Sequence, residues 1–130
     1  MNVNTLNGLT LAYIGDSVYE LYIRNHIVSL GYTKVNDLHK HAVLFTSGLN
    51  QAKIVRYLIA NNYLNDEEFD AFKHGRNSHV NTTRKSISLK DYLDATGFEA
   101  MIGYLYLSDK KERLNEILET IIKIRGELND

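Results

Sequence analysis

The chain has 130 residues, 44% of them hydrophobic and 24% charged, with a net charge of −1. This length and composition predict one globular domain over residues 1–130. The absence of cysteine excludes disulfides, thiolate metal sites and cysteine nucleophiles, and is compatible with a reducing cytoplasm. No apolar run reaches the roughly 20 residues that a membrane span needs. No export signal is visible, so we expect a soluble, cytoplasmic protein.

Two further features of the composition favour an all-α fold. The chain has no proline, so long uninterrupted helices are permitted throughout. The period-two alternation that indicates strands hardly occurs outside residues 86–89. We therefore expect a helical bundle with short joints.

The first predicted helix begins at Asn2 or Asn4 and ends before Gly31, a natural stop signal. Except in its last turns it carries only two charges, Asp16 and Glu20, and apolar side chains cover almost all of its faces. Such a helix is usually a buried one. A buried carboxylate needs a cation, a metal or a wet cleft beside it, so the first of these acids is a candidate site residue.

Three shorter helices are predicted next, over about residues 36–46, 49–63 and 67–73. Ser47 and Gly48 separate the first two, and Asn65 or Asp66 caps the third, which closes near Gly75. Three polar residues of the middle helix fall off its apolar stripe, on its surface: Gln51, Lys53 and Arg56.

Residues 73–90 break the helical pattern and are predicted to form a basic loop. The segment contains no acid and has a charge of +5, so the rest of the chain sums to −6. Basic side chains among Asn, Ser and Thr fit contact with a phosphate backbone, and a solvated loop is the alternative. Arg76 is expected to be better constrained than Lys85, because Gly75 lets the chain turn. The candidate contacts are Lys73, Arg76, Asn77, Arg84 and Lys85.

A second nearly continuous apolar helix covers residues 92–107, with Glu99 as the one charge in its middle. Two buried helices in so short a chain should pack on each other and bring Asp16 and Glu99 together. Two carboxylates make an all-oxygen site that suits Mg²⁺ completed by water and substrate phosphate. The alternative is that both acids reach solvent or bond to buried hydroxyls.

The ends of the last two helices show capping signals. Ser88 with Asp91 has the spacing of a capping box for the Glu99 helix, and Asp109 with Glu112 has it for the last helix. The last helix has one apolar stripe and is expected to cover the core, with no chemical role.

Two motifs resemble a known family. The sequence IGDSV at residues 14–18, followed by Glu20, resembles the helix of the ribonuclease III catalytic domain whose LGDAV core carries a metal-binding Asp. The sequence GFEAMIGYLYL at residues 97–107 resembles the second acidic helix of that domain, whose Glu binds the same metal. The resemblance is closest to the Mini-III ribonucleases, which lack a double-stranded-RNA-binding domain. The short length and the GRN sequence at residues 75–77 agree with this.

The resemblance implies an endoribonuclease that hydrolyses phosphodiester bonds in double-stranded RNA. Asp16 and Glu99 would be its catalytic residues and would hold Mg²⁺, with Mn²⁺ as a substitute. The implied fold is an all-α ribonuclease III-type domain that forms a two-fold homodimer. Tyr13 would contact the partner subunit, and an ordinary core tyrosine is the alternative. The implied substrate is the stem that joins the ends of precursor 23S ribosomal RNA.

Two positions depart from the larger ribonuclease III enzymes. Ala12 and Thr96 stand where those enzymes have Glu and Asp, which leaves the number of metal ions open. Glu20 either supports the metal ligands indirectly or binds a basic neighbour, and we favour the second. The alternative functions are a catalytically inactive homodimer of the same fold that binds structured RNA, and a helical interaction module with no RNA role.

Overall fold

The computed structural model describes residues 1–78 and 87–128, with side chains described to residue 125. The described residues form six α-helices and one 3-10 turn, Val3–Thr5, and contain no strand. The all-α prediction is therefore confirmed. The helices are α1 (Gly8–Ser29), α2 (Val35–Thr46), α3 (Gly48–Ala60), α4 (Asp66–Arg76), α5 (Leu89–Leu107) and α6 (Lys111–Leu128).

Side-chain caps start most of these helices. The Asn7 side chain accepts a hydrogen bond from the Thr10 amide at 2.8 Å and starts α1. The prediction of a start at Asn2 or Asn4 is therefore wrong, and Asn2 caps only the 3-10 turn. The caps predicted for three later helices are present: Ser47 for α3, Asn65 of the two candidates for α4, and Ser88 for α5. Asn65 also forms a capping box with Glu68, which was not predicted.

Two helix ends depend on a left-handed residue. Gly31 follows α1 with a φ of +103°, in the position predicted for the stop signal. Asp109 has a φ of +58° and closes α5, since the next amide, that of Lys110, donates to the Leu105 carbonyl at 3.0 Å. The predicted cap of Asp109 with Glu112 is therefore wrong, because Asp109 ends one helix instead of starting the next.

Helix α5 lies at the centre of the fold. Every side chain from Asp94 to Leu105 is buried except Glu99 and Tyr104, which are partly buried. The Phe98 ring meets the Tyr19 ring of α1 edge to face, with centroids 4.9 Å apart. Burial raises the pKa of the Tyr19 phenol, which stays protonated and donates to the Phe45 carbonyl at 3.0 Å.

Helix α6 covers one side of this core, as its sequence predicts. Its buried side chains recur on one stripe: Leu114, Ile117, Leu118, Ile121 and Ile124. None of the described helices combines the length and the apolar character that a membrane span requires.

Helix α1 has one buried and one exposed face. Its buried face carries Leu11, Tyr19, Ile23 and Ile27. Its opposite face exposes Leu9, Tyr13, Leu21 and Val28. The expectation that this helix is buried all round is therefore wrong for the single chain, and Asp16 is itself exposed.

A buried ion pair fixes the start of helix α4. Glu68 is 1% exposed, and the Arg113 guanidinium of α6 contacts both of its carboxylate oxygens, at 2.7 and 2.9 Å. The same guanidinium donates to the Tyr63 carbonyl at 2.8 Å. Hydrogen bonding to the carboxylate raises the pKa of Arg113, which stays charged. The pair joins α4, α6 and the joint before α4.

Candidate active site

Helices α1 and α5 cross with their backbones in contact, next to both predicted acids. A Cβ atom added at Gly15 would lie 1.7 Å from the Glu99 carbonyl oxygen, and one added at Gly103 would lie 2.0 Å from the Leu11 carbonyl oxygen. Only glycine permits so close an approach. Since Asp16 follows Gly15 in the chain, the crossing holds Asp16 beside Glu99.

A second close crossing joins the end of α4 to α5. A Cβ atom added at Gly75 would lie 2.4 Å from the Ala100 side chain, and one at Gly97 would lie 2.6 Å from the Phe72 carbonyl oxygen. Gly75 is therefore a packing residue inside α4, and the predicted turn at this position is wrong. The crossing fixes the last turn of α4 against α5 close to Glu99.

Asp16 and Glu99 line the same cleft, which has a volume of about 180 Å³. Asp16 is exposed and Glu99 is partly buried, so both acids lie at a wet surface. The cleft is formed by α1, the joint between α2 and α3, and the first half of α5. Its other lining residues are Glu20, Thr46, Gly48, Gln51, Ile87, Tyr92, Ala95 and Thr96.

Glu20 lines this cleft but has a partner on its own helix. Its carboxylate oxygen lies 3.1 Å from Arg24 Nε, one turn further along α1. This geometry agrees with the favoured alternative, in which Glu20 binds a basic neighbour. Among the described residues, no group of three or more His, Cys, Asp or Glu side chains is arranged to hold a metal ion. The acidic donors of the cleft are therefore chiefly Asp16 and Glu99.

Besides Tyr92, three neutral polar residues line the cleft, and their grouping was not predicted from the sequence. Gln51 is 2% exposed and Thr96 is 7% exposed, while Thr46 is partly buried. The expectation that Gln51 lies on the protein surface is wrong, because the α2–α3 joint packs it against the cleft. Thr96 precedes Glu99 by three residues, a spacing that puts both on one helix face. This spacing was the one feature of the sequence that indicated any of the three neutral residues.

An arginine of α3 fixes the start of α5 beside the cleft. Arg56 Nε donates to Asp94 Oδ2 at 2.8 Å, and Arg56 Nη2 forms an ion pair with Asp91 Oδ1 at 2.7 Å. The hydrogen bond from Arg56 lowers the pKa of Asp91. Arg56 is therefore a structural link and not a free surface cation, contrary to the sequence-based expectation.

The described basic candidates lie at the end of α4. Lys73 Nζ is 3.5 Å from Asp70 Oδ1, and the Arg76 guanidinium is 5.4 Å from the centre of the Phe72 ring. Asn77 caps the helix and is exposed. The loop prediction for residues 73–90 is wrong at both ends, because Lys73 and Arg76 belong to α4 and Lys90 belongs to α5. Arg84 and Lys85 lie outside the described residues.

Tyr13 lies on the exposed face of α1. It is 76% exposed in the single chain. The alternative of an ordinary core tyrosine is therefore excluded.

Comparison with known proteins agrees with this geometry. Residues 9–110 match the family described as Ribonuclease III domain. The chain is 46% identical over 125 residues to a Mini-ribonuclease 3 of Enterococcus faecalis, covering 96% of this chain and 95% of that protein. It is 37% identical over 127 residues to a Mini-ribonuclease 3 of Streptococcus pneumoniae, covering 97% and 99%. A crystal structure of a Fusobacterium nucleatum protein superposes with a TM-score of 0.83 at 32% identity, covering 95% of each chain.

Proposed function

Since the chain belongs to the ribonuclease III family, in its Mini-ribonuclease 3 group, we propose that it is a metal-dependent endoribonuclease that cuts double-stranded RNA. The family resemblance drawn from the two acidic motifs is thereby confirmed. One observation carries the proposal: Asp16 and Glu99 line one wet cleft, next to the point where Gly15 lets α1 contact α5.

The donor atoms of the cleft fit a hard divalent cation. Among the described residues, its lining contains carboxylates, hydroxyls and an amide but no histidine. Oxygen ligands of this kind suit Mg²⁺, which keeps several waters and is often held by one or two carboxylates and substrate phosphate. Asp16 and Glu99 would hold Mg²⁺, or Mn²⁺ in its place. When bound, the ion would supply an activated water and offset charge on the phosphoryl group and on the departing 3′ oxygen.

The end of α4 would supply the attraction for RNA that two carboxylates cannot. Lys73 and Arg76 lie on the helix turn that Gly75 holds against α5, and Asn77 adds a neutral donor beside them. An A-form duplex is recognised mainly by its shape, its phosphates and its 2′-hydroxyls, which such side chains can contact. Arg84 and Lys85 belong to the same proposed surface by sequence.

We further propose a two-fold homodimer with one cleft in each subunit, each cutting one strand. The exposed apolar face of α1, which includes Tyr13, supports this proposal because monomers rarely expose such a stripe. The family assignment supports the stem of precursor 23S ribosomal RNA as the substrate. A cytoplasmic location belongs to the same proposal and is supported by the absence of cysteine.

Cleavage of a long RNA duplex by the purified protein, with Mg²⁺ or with EDTA, tests the activity. We expect cutting that requires the metal and is lost in Asp16→Asn and in Glu99→Gln. Asp37→Asn is the matched control, since it removes an exposed acid of α2 that does not line the cleft. If RNA is bound but never cut, the inactive binding relative replaces the nuclease. If it is neither bound nor cut, only the helical interaction module is left.

The contribution of α4 to RNA binding is tested by Arg76→Ala at two salt concentrations. Loss of one phosphate contact should weaken duplex binding and reduce the slope of log affinity against log salt by about one. Lys123→Ala, an exposed cation on α6, is the control. Equal slopes for both variants and the parent would show that Arg76 does not contact the phosphates of the RNA.

A further inference from the structure

Three neutral side chains of the cleft, those of Thr46, Gln51 and Thr96, share one hydrogen-bonding feature. Each has a donor group turned to a backbone carbonyl. Thr96 Oγ1 donates to the Tyr92 carbonyl at 2.9 Å and Thr46 Oγ1 to the Ala42 carbonyl at 3.1 Å. Gln51 Nε2 donates to the Thr46 carbonyl at 3.3 Å. A carbonyl can only accept, so the amide of Gln51 is oriented with its nitrogen, and not its oxygen, on that side.

Each of these groups therefore keeps an acceptor for the cleft, beside the second N–H of Gln51 and the Tyr92 hydroxyl, which can donate. A threonine hydroxyl that has donated its proton retains only lone pairs, and the amide oxygen of Gln51 can only accept. The carboxylates of Asp16 and Glu99 are also acceptors when ionised. These acceptors cannot form hydrogen bonds with a phosphate oxygen, which is itself an acceptor. They can form them with a ligand that presents donors.

A hydrated metal ion is such a ligand. Each water on the ion uses a lone pair for the metal and directs its two hydrogens outward. Mg²⁺ releases its water reluctantly and usually keeps several of them in a protein site. With Asp16 and Glu99 as its principal protein ligands, most of the ion's coordination positions in this cleft would be water or phosphate oxygen.

We propose that Gln51 and Thr96 are positioning residues that accept hydrogen bonds from water molecules on the bound metal ion. The inference rests on the proposed function and adds the residues that orient the metal's water. Both residues are more than nine-tenths buried, so their side chains are held in place by packing. They are neutral, and they would fix the hydrated ion without adding negative charge beside the RNA. Groups that orient a metal site in this way typically change metal affinity by about 10-fold or more when removed.

Binding of two ions in the absence of RNA tests this role by calorimetry. The first is Mn²⁺, and the second is hexaamminecobalt(III), which does not exchange its ligands and therefore binds only through outward N–H donors. Gln51→Met and Thr96→Val remove the acceptors with little change of volume, while Thr96→Ser keeps the hydroxyl. We expect the first two variants to bind both ions about 10-fold more weakly. Thr96→Ser should bind as tightly as the parent.

Asn50→Met is the matched control for folding. The Asn50 side chain also donates to a carbonyl of α2, that of Val43 at 3.0 Å, but does not line the cleft. It should unfold at a similar temperature to Gln51→Met and retain full ion affinity. Equal ion affinities in Gln51→Met, Thr96→Val and the parent would overturn the proposal, as would a parent that binds neither ion. RNA cleavage is scored separately, so a parent that binds both ions but cuts no RNA would contradict the proposed nuclease and not this inference.

Discussion

Gly15 is the residue on which the geometry of the site depends most. Glycine has no side chain that could take part in catalysis. Because it lacks a Cβ atom, however, α1 can contact the backbone of α5 at Glu99. The two acids were identifiable from the sequence because each is an isolated charge in an apolar helix. The close crossing that brings them together depends on tertiary packing, which the local pattern does not encode.

Gly15→Ala should therefore damage both stability and activity. The added methyl group would lie 1.7 Å from the Glu99 carbonyl oxygen, so the two backbones must separate. We expect the free energy of unfolding to fall by about 3 kcal/mol, with cleavage lost even where the variant is folded. Denaturant unfolding and duplex cleavage measure the two effects.

Gly31→Ala is the control for this substitution. Its φ of +103° strains an alanine, but no atom lies within 4 Å of the added Cβ. In the Gly31→Ala variant the free energy of unfolding should fall by about 1–2 kcal/mol. The variant should still cleave duplex RNA. A Gly15→Ala variant as stable and active as the parent would show that the helices do not cross as described.

The neutral residues of the cleft were not predictable from helix patterns. Gln51 lies off the apolar stripe of α3 and is expected at the surface by periodicity alone. It is buried because the α2–α3 joint packs beside α5, where Gly48 meets Ile87 across a long separation in sequence. Such contacts between distant segments have no signature in a local pattern.

At the scale of the element, α4 differs most from its prediction. Gly75 is a local stop signal, but packing against Ala100 keeps the helix going to Arg76. Tertiary contacts outweigh a helix propensity penalty of about 1 kcal/mol for glycine. The start of the helix was predicted to within one residue, because Asn65 and Asp66 are both residue types that favour a helix N-cap. The capping box that Asn65 forms with Glu68 was not predicted.

The ion pair of Glu68 with Arg113 should hold α4 in place. Glu68→Gln leaves the Arg113 guanidinium, which is 27% exposed, with Glu116 as its ionic partner at 3.0 Å. We expect the free energy of unfolding to fall by about 2 kcal/mol. Glu68→Met combined with Arg113→Met should cost less than the sum of the two single changes, because no buried charge remains unpaired. Urea unfolding of the parent, Glu68→Gln, the two single Met variants and the double variant measures both effects. Strict additivity would show that the pair contributes no coupling.

At the scale of the molecule, the exposed face of α1 is the main feature that a single chain does not explain. Leu9, Tyr13, Leu21 and Val28 recur along it at intervals that place them on one side of the helix. The sequence indicated a helix that is apolar all round. That pattern could not separate a face buried in the fold from one available to a second subunit.

Leu21→Glu should convert the proposed dimer into a monomer. Leu21 is 63% exposed in the single chain, so a charge there harms an interface more than the fold. Analytical ultracentrifugation of the parent should give twice the mass of the variant at the same concentration. Val35→Glu is the control, because Val35 is 77% exposed on α2, away from this face. A parent that sediments as a monomer at all concentrations would contradict the dimer.

The central claim is that Asp16 and Glu99 act as one site. The most direct test is the rate of duplex RNA cleavage at saturating Mg²⁺ for the parent, Asp16→Asn, Glu99→Gln and the double variant. Groups that act as a unit are strongly non-additive. We therefore expect the double variant to be no slower than the slower single variant. Independent losses that multiply in the double variant, or full activity in either single variant, would contradict a shared metal site.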